Sequence, residues 1–134
     1  MTQTQTPIPR LEELRHEYSA ALEAGKLTFQ RCRNCGNAWL PPREECPRCL
    51  EPESDWEQAS GRGTLVSWCV YHRTPLPEFA DRVPYTVYLV ELAEGPRLIS
   101  SPAMKSSGEP RLDAPLELVI ERERETPLAR FRVA

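Results

Sequence analysis

Lysine is almost missing from this 134-residue chain. Of its 17 basic residues only Lys26 and Lys105 are lysine, and the rest are arginine. Histidine is nearly as scarce, with His16 and His72 alone, so a histidine-centred acid–base constellation has little to draw on. No apolar run is long enough to span a membrane. The N-terminal stretch MTQTQTPIPR has no apolar signal core, which speaks against secretion and makes a cytoplasmic protein the expectation. An excess of positive charge is missing too. The formal net charge is −3, a poor balance for a dedicated nucleic-acid binder, whose affinity leans on a positive face. Long helices are disfavoured by fourteen prolines, which suit short strands, turns and a proline-bounded ribbon instead. With 40% hydrophobic residues and this length, the chain has material for one typical domain or two small ones.

Cysteine, by contrast, is placed with purpose. Cys32-Arg33-Asn34-Cys35 and Cys46-Pro47-Arg48-Cys49 are two CxxC turns, with ten residues between Cys35 and Cys46. Two thiolates three positions apart on a tight turn can hold one metal together, and a second such turn completes a tetrahedron of sulfur. That set suits one zinc ion, and a site with all four positions filled by protein is structural rather than catalytic. Gly36 follows the first pair, where a backbone amide is expected to turn back toward sulfur; Pro47 fixes the second turn. Two disulfides are the competing reading, and the missing signal peptide weighs against them. Iron in the same four-sulfur site, as in an electron carrier, is another, and would show as a coloured protein. Four thiolates on one divalent zinc bring the folded protein to a net charge of about −5.

Along the chain, residues 1–8 read as a disordered polar lead. Residues 9–25 read as a helix with Leu11, Leu14, Tyr18, Ala21 and Leu22 at helical spacing, Pro9 in the first turn and Gly25 at the C-terminal cap. Its apolar stripe is expected to dock on a partner, because a small ribbon offers little core to receive it. The predicted units are 1–26 (tail and amphipathic helix), 27–55 (zinc ribbon, with Phe29, Trp39 and Leu40 as its apolar residues) and 56–134. The last begins at Gly61-Arg62-Gly63 and carries five strand-like runs, at 64–72, 85–92, 97–100, 116–124 and 128–133. Five short strands with no helix between them predict a small closed barrel, with the OB-fold as leading candidate.

Taken together the residues resemble the "domain of unknown function 35" family, a rubredoxin-like zinc ribbon followed by an OB-fold and associated with acyl-CoA metabolism. The resemblance rests on the amphipathic helix, Cys32xxCys35-Gly36, Pro42-Arg43, Cys46-Pro47xxCys49, Trp56, Gly61xGly63, the strand ending at His72, Phe79, Pro84-Tyr85 and Val90-Glu91-Leu92xxGlu94-Gly95. It implies a mainly β fold: N-terminal helix, rubredoxin-like ribbon, then a five-stranded OB-fold barrel. It also implies an accessory subunit without catalytic residues of its own. Such a subunit docks on a thiolase-superfamily partner as a hetero-oligomer, stabilises it and helps form the acyl-CoA channel. The partner's chemistry would be retro-aldol, thiolytic or acyl transfer, with steroid side-chain or aromatic degradation as settings.

Against that frame, Arg31, Arg33, Arg43 and Arg48 crowd the knuckles. They offset thiolate charge, pair with CoA phosphates or meet an acidic partner patch, and all three readings stand. His72, at a strand end before the loop from Arg73 to Pro84, is expected to line a ligand channel at the barrel mouth, with Phe79 and Tyr85 beside it. Cys69 is expected to be a buried inert thiol. The run Glu121-Arg122-Glu123-Arg124-Glu125 is expected to be a solvated barrel rim, glutamates on one face and arginines on the other. Trp68, Tyr71, Phe79, Tyr85 and Tyr88 could instead stack bases, which gives the alternative function of a single-stranded nucleic-acid module; most of them fall where aromatics fill a core or an interface.

Overall fold

The computed structural model describes residues 10–104 and 108–134, apart from the side chains of Phe79 and Arg82. The expected polar lead and Pro9 lie outside the described residues. Helix α1, Arg10–Glu23, comes first. Three short strands follow: β1 (Thr28–Cys32), β2 (Ala38–Trp39) and β3 (Ser54–Gln58). They form an antiparallel sheet in the order β2-β1-β3. The remaining strands are β4 (Arg62–Tyr71), β5 (Tyr85–Leu92), β6 (Arg97–Ser100), β7 (Pro115–Glu123) and β8 (Thr126–Val133). Their order is β6-β5-β4-β7-β8, antiparallel at every pairing. The sheet curls until its outer strands meet at a short parallel bridge between Pro102 and Phe131, where Phe131 N–H donates to Ser101 O (3.1 Å) and Ala103 N–H to Phe131 O (2.8 Å). This is the expected OB-like barrel, and a 3-10 helix, Pro77–Arg82, lies in the connection between β4 and β5.

Alternation builds the barrel core. Leu65, Tyr88, Val90, Leu92, Leu116, Phe131 and Val133 point inward and are almost fully buried. Gly63 lets β4 and β5 close up: a Cβ there would lie 2.9 Å from the Glu91 carbonyl oxygen, a clash that any side chain would force on the backbone.

The helix corrects one expectation. Its apolar stripe is spent within the chain rather than held out for a partner. Leu14 and Leu22 are buried, and Leu22 and Tyr18 pack on the barrel core. The reason is that α1 bridges both units. Glu17 accepts a hydrogen bond from the Trp56 indole of β3 (2.9 Å), and Glu23 pairs with Arg122 of β7 (2.7 Å). Strand β1 joins the units in the same way. Phe29 on one face enters the barrel core, while Gln30 and Cys32 on the other face the ribbon.

Candidate metal centre

The two knuckles converge. The sulfurs of Cys32, Cys35, Cys46 and Cys49 all lie within 4.8 Å of one another. Cys32 and Cys49 sulfurs are 3.5 Å apart, and those of Cys35 and Cys46 3.7 Å. Four sulfurs around zinc at its usual bond length sit about 3.8 Å apart, so the set already has the size of a zinc tetrahedron. The backbone is arranged for thiolates. The N–H groups of Asn34 and Cys35 point at Cys32 Sγ (3.3 and 3.4 Å), and those of Arg48 and Cys49 at Cys46 Sγ (3.3 and 3.4 Å). Side-chain amides of Asn34 and Asn37 reach Cys49 and Cys46.

Titration of the sulfurs makes the same point. Burial works against a thiolate at Cys46, but the Cys49 and Arg48 amides, joined by hydrogen bonds from Cys35 and Asn37, together outweigh it and draw its pKa down to about 6. At Cys35 the Asn37 amide favours the thiolate, yet burial and three neighbouring sulfurs push it up to about 11. Four sulfurs this close cannot all ionise without a cation among them, and zinc supplies that cation and ties the two turns together. The residues present fit one structural metal ion with four cysteine ligands.

One local expectation fails. The Gly36 amide turns to the Cys32 carbonyl (3.1 Å), not to sulfur. The second knuckle repeats the bond, Leu50 N–H to Cys46 O at 2.8 Å. Gly36 and Leu50 occupy equivalent left-handed positions, with φ of 79° and 68°. The first knuckle meets this geometry with glycine; the second imposes it on an exposed leucine. In the ribbon, Gln30 is fully buried and fully used. Its Oε1 accepts from the Trp39 indole (3.1 Å) and the Arg43 amide (2.9 Å), and its Nε2 donates to Arg43 O (2.9 Å) and Ser54 Oγ (3.1 Å).

The four arginines divide. Arg31 donates to Glu57 (2.9 Å) and to Gly36 O (2.8 Å), and Arg33 to Asp55 (2.7 Å). The hydrogen bond from Arg33 holds the Asp55 carboxyl below its ordinary range. Arg33 also lines a recess with Glu44, Glu45 and Glu53, a poor setting for a phosphate. Arg43 and Arg48 form no ion pair among the described residues.

At the barrel mouth, His72 is exposed in the bend after β4, and Tyr85 opens β5. The Tyr85 ring packs against Tyr71 with centroids 5.1 Å apart. Both tyrosines are exposed rather than in the core, because the ends of β4 and β5 run on past the rest of the sheet. Phe79 lies in the 3-10 helix, its side chain outside the described residues. Cys69 is exposed, not buried, for the same reason. Tyr85 lines a cavity of roughly 500 Å³ with Thr74, Pro75, Leu76 and Ser101, and Arg130 forms part of its wall.

Arg130 is the residue that sequence reasoning missed. Glu121 and Glu123 share a face, as alternation requires, but that face is not a solvated rim. Both carboxylates hold the Arg130 guanidinium of β8, which is only 11% exposed; its contact to Glu121 is 3.0 Å. Glu121 also accepts from the Met104 amide (3.0 Å). The signal in the sequence was slight: an arginine between Ala129 and Phe131 in a strand that also carries Arg132.

Fold and site together define a class: a four-cysteine zinc ribbon joined through a helix and a shared strand to an OB-like barrel. The chain belongs to the DUF35/ChsH2 family. Residues 19–55 match the "ChsH2, rubredoxin-like zinc ribbon domain" and residues 56–121 the "ChsH2, C-terminal OB-fold domain". The chain is 36% identical over 95 residues to a "probable enoyl-CoA hydratase alpha subunit" of Thermomonospora curvata, covering 71% of this chain and 29% of that one. It is 43% identical over 75 residues to a "DUF35 domain-containing scaffold protein" of Methanothermobacter thermautotrophicus, 55% of this chain and 56% of that one. It thus spans about half or less of these curated relatives. The solved structure described as "Ltp2-ChsH2(DUF35) aldolase" superposes with a TM-score of 0.75 at 31% identity, over 94% of this chain and 98% of that chain. Among the described residues no helix is long and apolar enough to cross a membrane.

Proposed function

We propose that this chain is a non-catalytic accessory subunit of an acyl-CoA-processing complex, docking on a thiolase-like partner that carries retro-aldol, thiolytic or acyl-transfer chemistry. The observation that carries the reading is the whole-chain likeness to the structure described as an Ltp2–ChsH2(DUF35) aldolase. The side chains fit a supporting role. His72 has no hydrogen-bond partner among the described residues, and Cys69 has Tyr71 beside it rather than a base. The cavity at Tyr85 offers a largely apolar wall to an acyl or pantetheine arm running from the partner's cleft; His72 and Phe79, on the segment that leads from β4 to β5, are proposed as further contacts of that arm. Arg43 and Arg48 are the knuckle arginines left to meet CoA phosphates; Arg31 and Arg33 already hold carboxylates. The scaffold description of the archaeal relative agrees with an assembly role. Steroid side-chain or aromatic degradation is the setting we favour.

The test is affinity purification of the tagged chain from its native host. A thiolase-like protein recovered in near-fixed ratio is the expected result. Full acyl-CoA turnover by the isolated chain, or recovery of single-stranded nucleic acid in place of a protein, would overturn the proposal.

A further inference from the structure

Strand β4 is the longest among the described residues, and only its beginning has neighbours on both sides. Strand β5 accompanies it from Gly63 to Tyr71. Strand β7 pairs only with Arg62, Gly63 and Thr64. The last bonds on that side are Leu65 N–H to Ala114 O (2.9 Å) and Asp113 N–H to Leu65 O (2.9 Å). Past Leu65, residues 66–71 have no backbone partner on that side among the described residues. An antiparallel strand aims alternate N–H and C=O groups to either side, so this stretch presents unpaired groups outward. A bulge between Leu65 and Ser67 marks where it begins, and from Ser67 to Tyr71 the pairing with β5 is regular.

Proteins blunt such edges with charge, proline or a covering element. Here the edge reads Val66-Ser67-Trp68-Cys69-Val70-Tyr71, with neither charge nor proline and mostly β-branched or aromatic residues. Val70 is 44% and Tyr71 45% exposed, and Ser67 and Cys69 are exposed with them. Cations bracket it. Arg73 follows at one end. Arg111 stands at the other, where the chain turns away through the Ala114 N–H to Arg111 O bond (3.2 Å). Both are exposed, and neither forms an ion pair among the described residues.

We infer that residues 66–71 of β4 accept an extended segment of another polypeptide as an added strand of the barrel sheet. The inference rests on the accessory-subunit reading, and the segment belongs to the thiolase-like partner. Backbone hydrogen bonds supply the affinity of such a joint and alternate side chains its specificity. The flanking cations define the donor as a strand with an uncharged, β-branched middle and acidic residues at its ends.

The probe is the synthetic peptide Asp-Glu-Val-Thr-Val-Thr-Glu-Asp, titrated into the full zinc-loaded chain with amide hydrogen exchange read residue by residue. Slowed exchange within 66–71 is expected. Binding should weaken by about tenfold or more when lysines replace the acidic ends, and similarly in the variant Val70→Lys with the original peptide. No protection within 66–71, equal protection by the lysine-ended peptide, or a homodimer that protects the same amides would each overturn the inference. The partner complex separates the two readings. A thiolase-like protein that binds but leaves these amides unprotected removes the strand joint and keeps the accessory subunit. A peptide that adds to β4 while the host yields no thiolase-like protein removes the accessory reading and leaves a strand-accepting edge with a different donor.

Discussion

The ribbon and the barrel solve the same problem, too little chain to bury, by different physics. In the barrel, Leu65, Tyr88, Val90, Leu92, Leu116 and Phe131 meet in one apolar core, and the hydrophobic effect carries the load. In the ribbon, the buried cluster is Cys32, Trp39 and Cys46, with Gln30 buried as well. Sulfur ligands and a saturated amide stand where aliphatic side chains would otherwise be. A segment of this size cannot fold by burial alone and leans on metal instead. The comparison teaches that the boundary is not a linker: β1 gives Phe29 to one core and Gln30 and Cys32 to the other.

The largest effect therefore belongs to the metal. Structural zinc contributes apparent binding free energies on the order of 10–16 kcal/mol in small zinc-dependent peptides. Stripping it with a strong chelator, or substituting Cys46→Ser, should abolish amide protection across β1, β2 and β3. Because Phe29 then leaves its place, protection in the barrel should fall as well, by less. Native mass spectrometry should find one zinc in the intact chain, and a colourless protein would set aside iron. Persistent protection of β1–β3 after zinc removal would break the comparison, since the ribbon would then be holding itself together by burial.

The barrel has its own counterpart. Phe131 is fully buried and sits at the seam that closes the sheet, between Ser101 and Ala103. Phe131→Ala should cost about 3–5 kcal/mol in denaturant unfolding, with zinc still bound one to one. Loss of zinc in that variant at temperatures where the ribbon strands keep their protection would contradict the division of labour. Parallel loss of both would show that α1 and β1 couple the units more tightly than the packing indicates.

The sequence made the zinc set and the five barrel strands legible because both are written in local spacing. CxxC turns fix ligands within three residues, and alternation fixes a strand face. What it hid depends on contacts between distant residues. The fate of the α1 stripe was decided by Trp56 and Arg122, 39 and 99 residues from their partners on the helix. Cys69 reads as a buried thiol, and Tyr71 as a core or interface aromatic, because their strand is apolar; they are exposed because β7 stops pairing at Thr64. Glu121 and Glu123 read as a rim because nothing nearby in sequence announces Arg130.

The smallest expected effect lies on the tie between the two units. Glu23 of α1 and Arg122 of β7 meet at 2.7 Å on an exposed face. The Arg122 hydrogen bond holds the Glu23 carboxyl below its ordinary pKa. A carboxyl whose folded pKa is depressed adds stability that is fully present above its unfolded value, about 4.3. That stability is lost as pH falls through the lower folded value. Glu23→Gln should then lower the melting temperature slightly at neutral pH and not at all in strong acid. The neutral-pH difference should shrink in high salt, where exposed pairs are screened. A deficit that persists at low pH and in high salt would mean that Glu23 acts through packing of the helix end, and the tie between ribbon, helix and barrel would then be apolar on both sides.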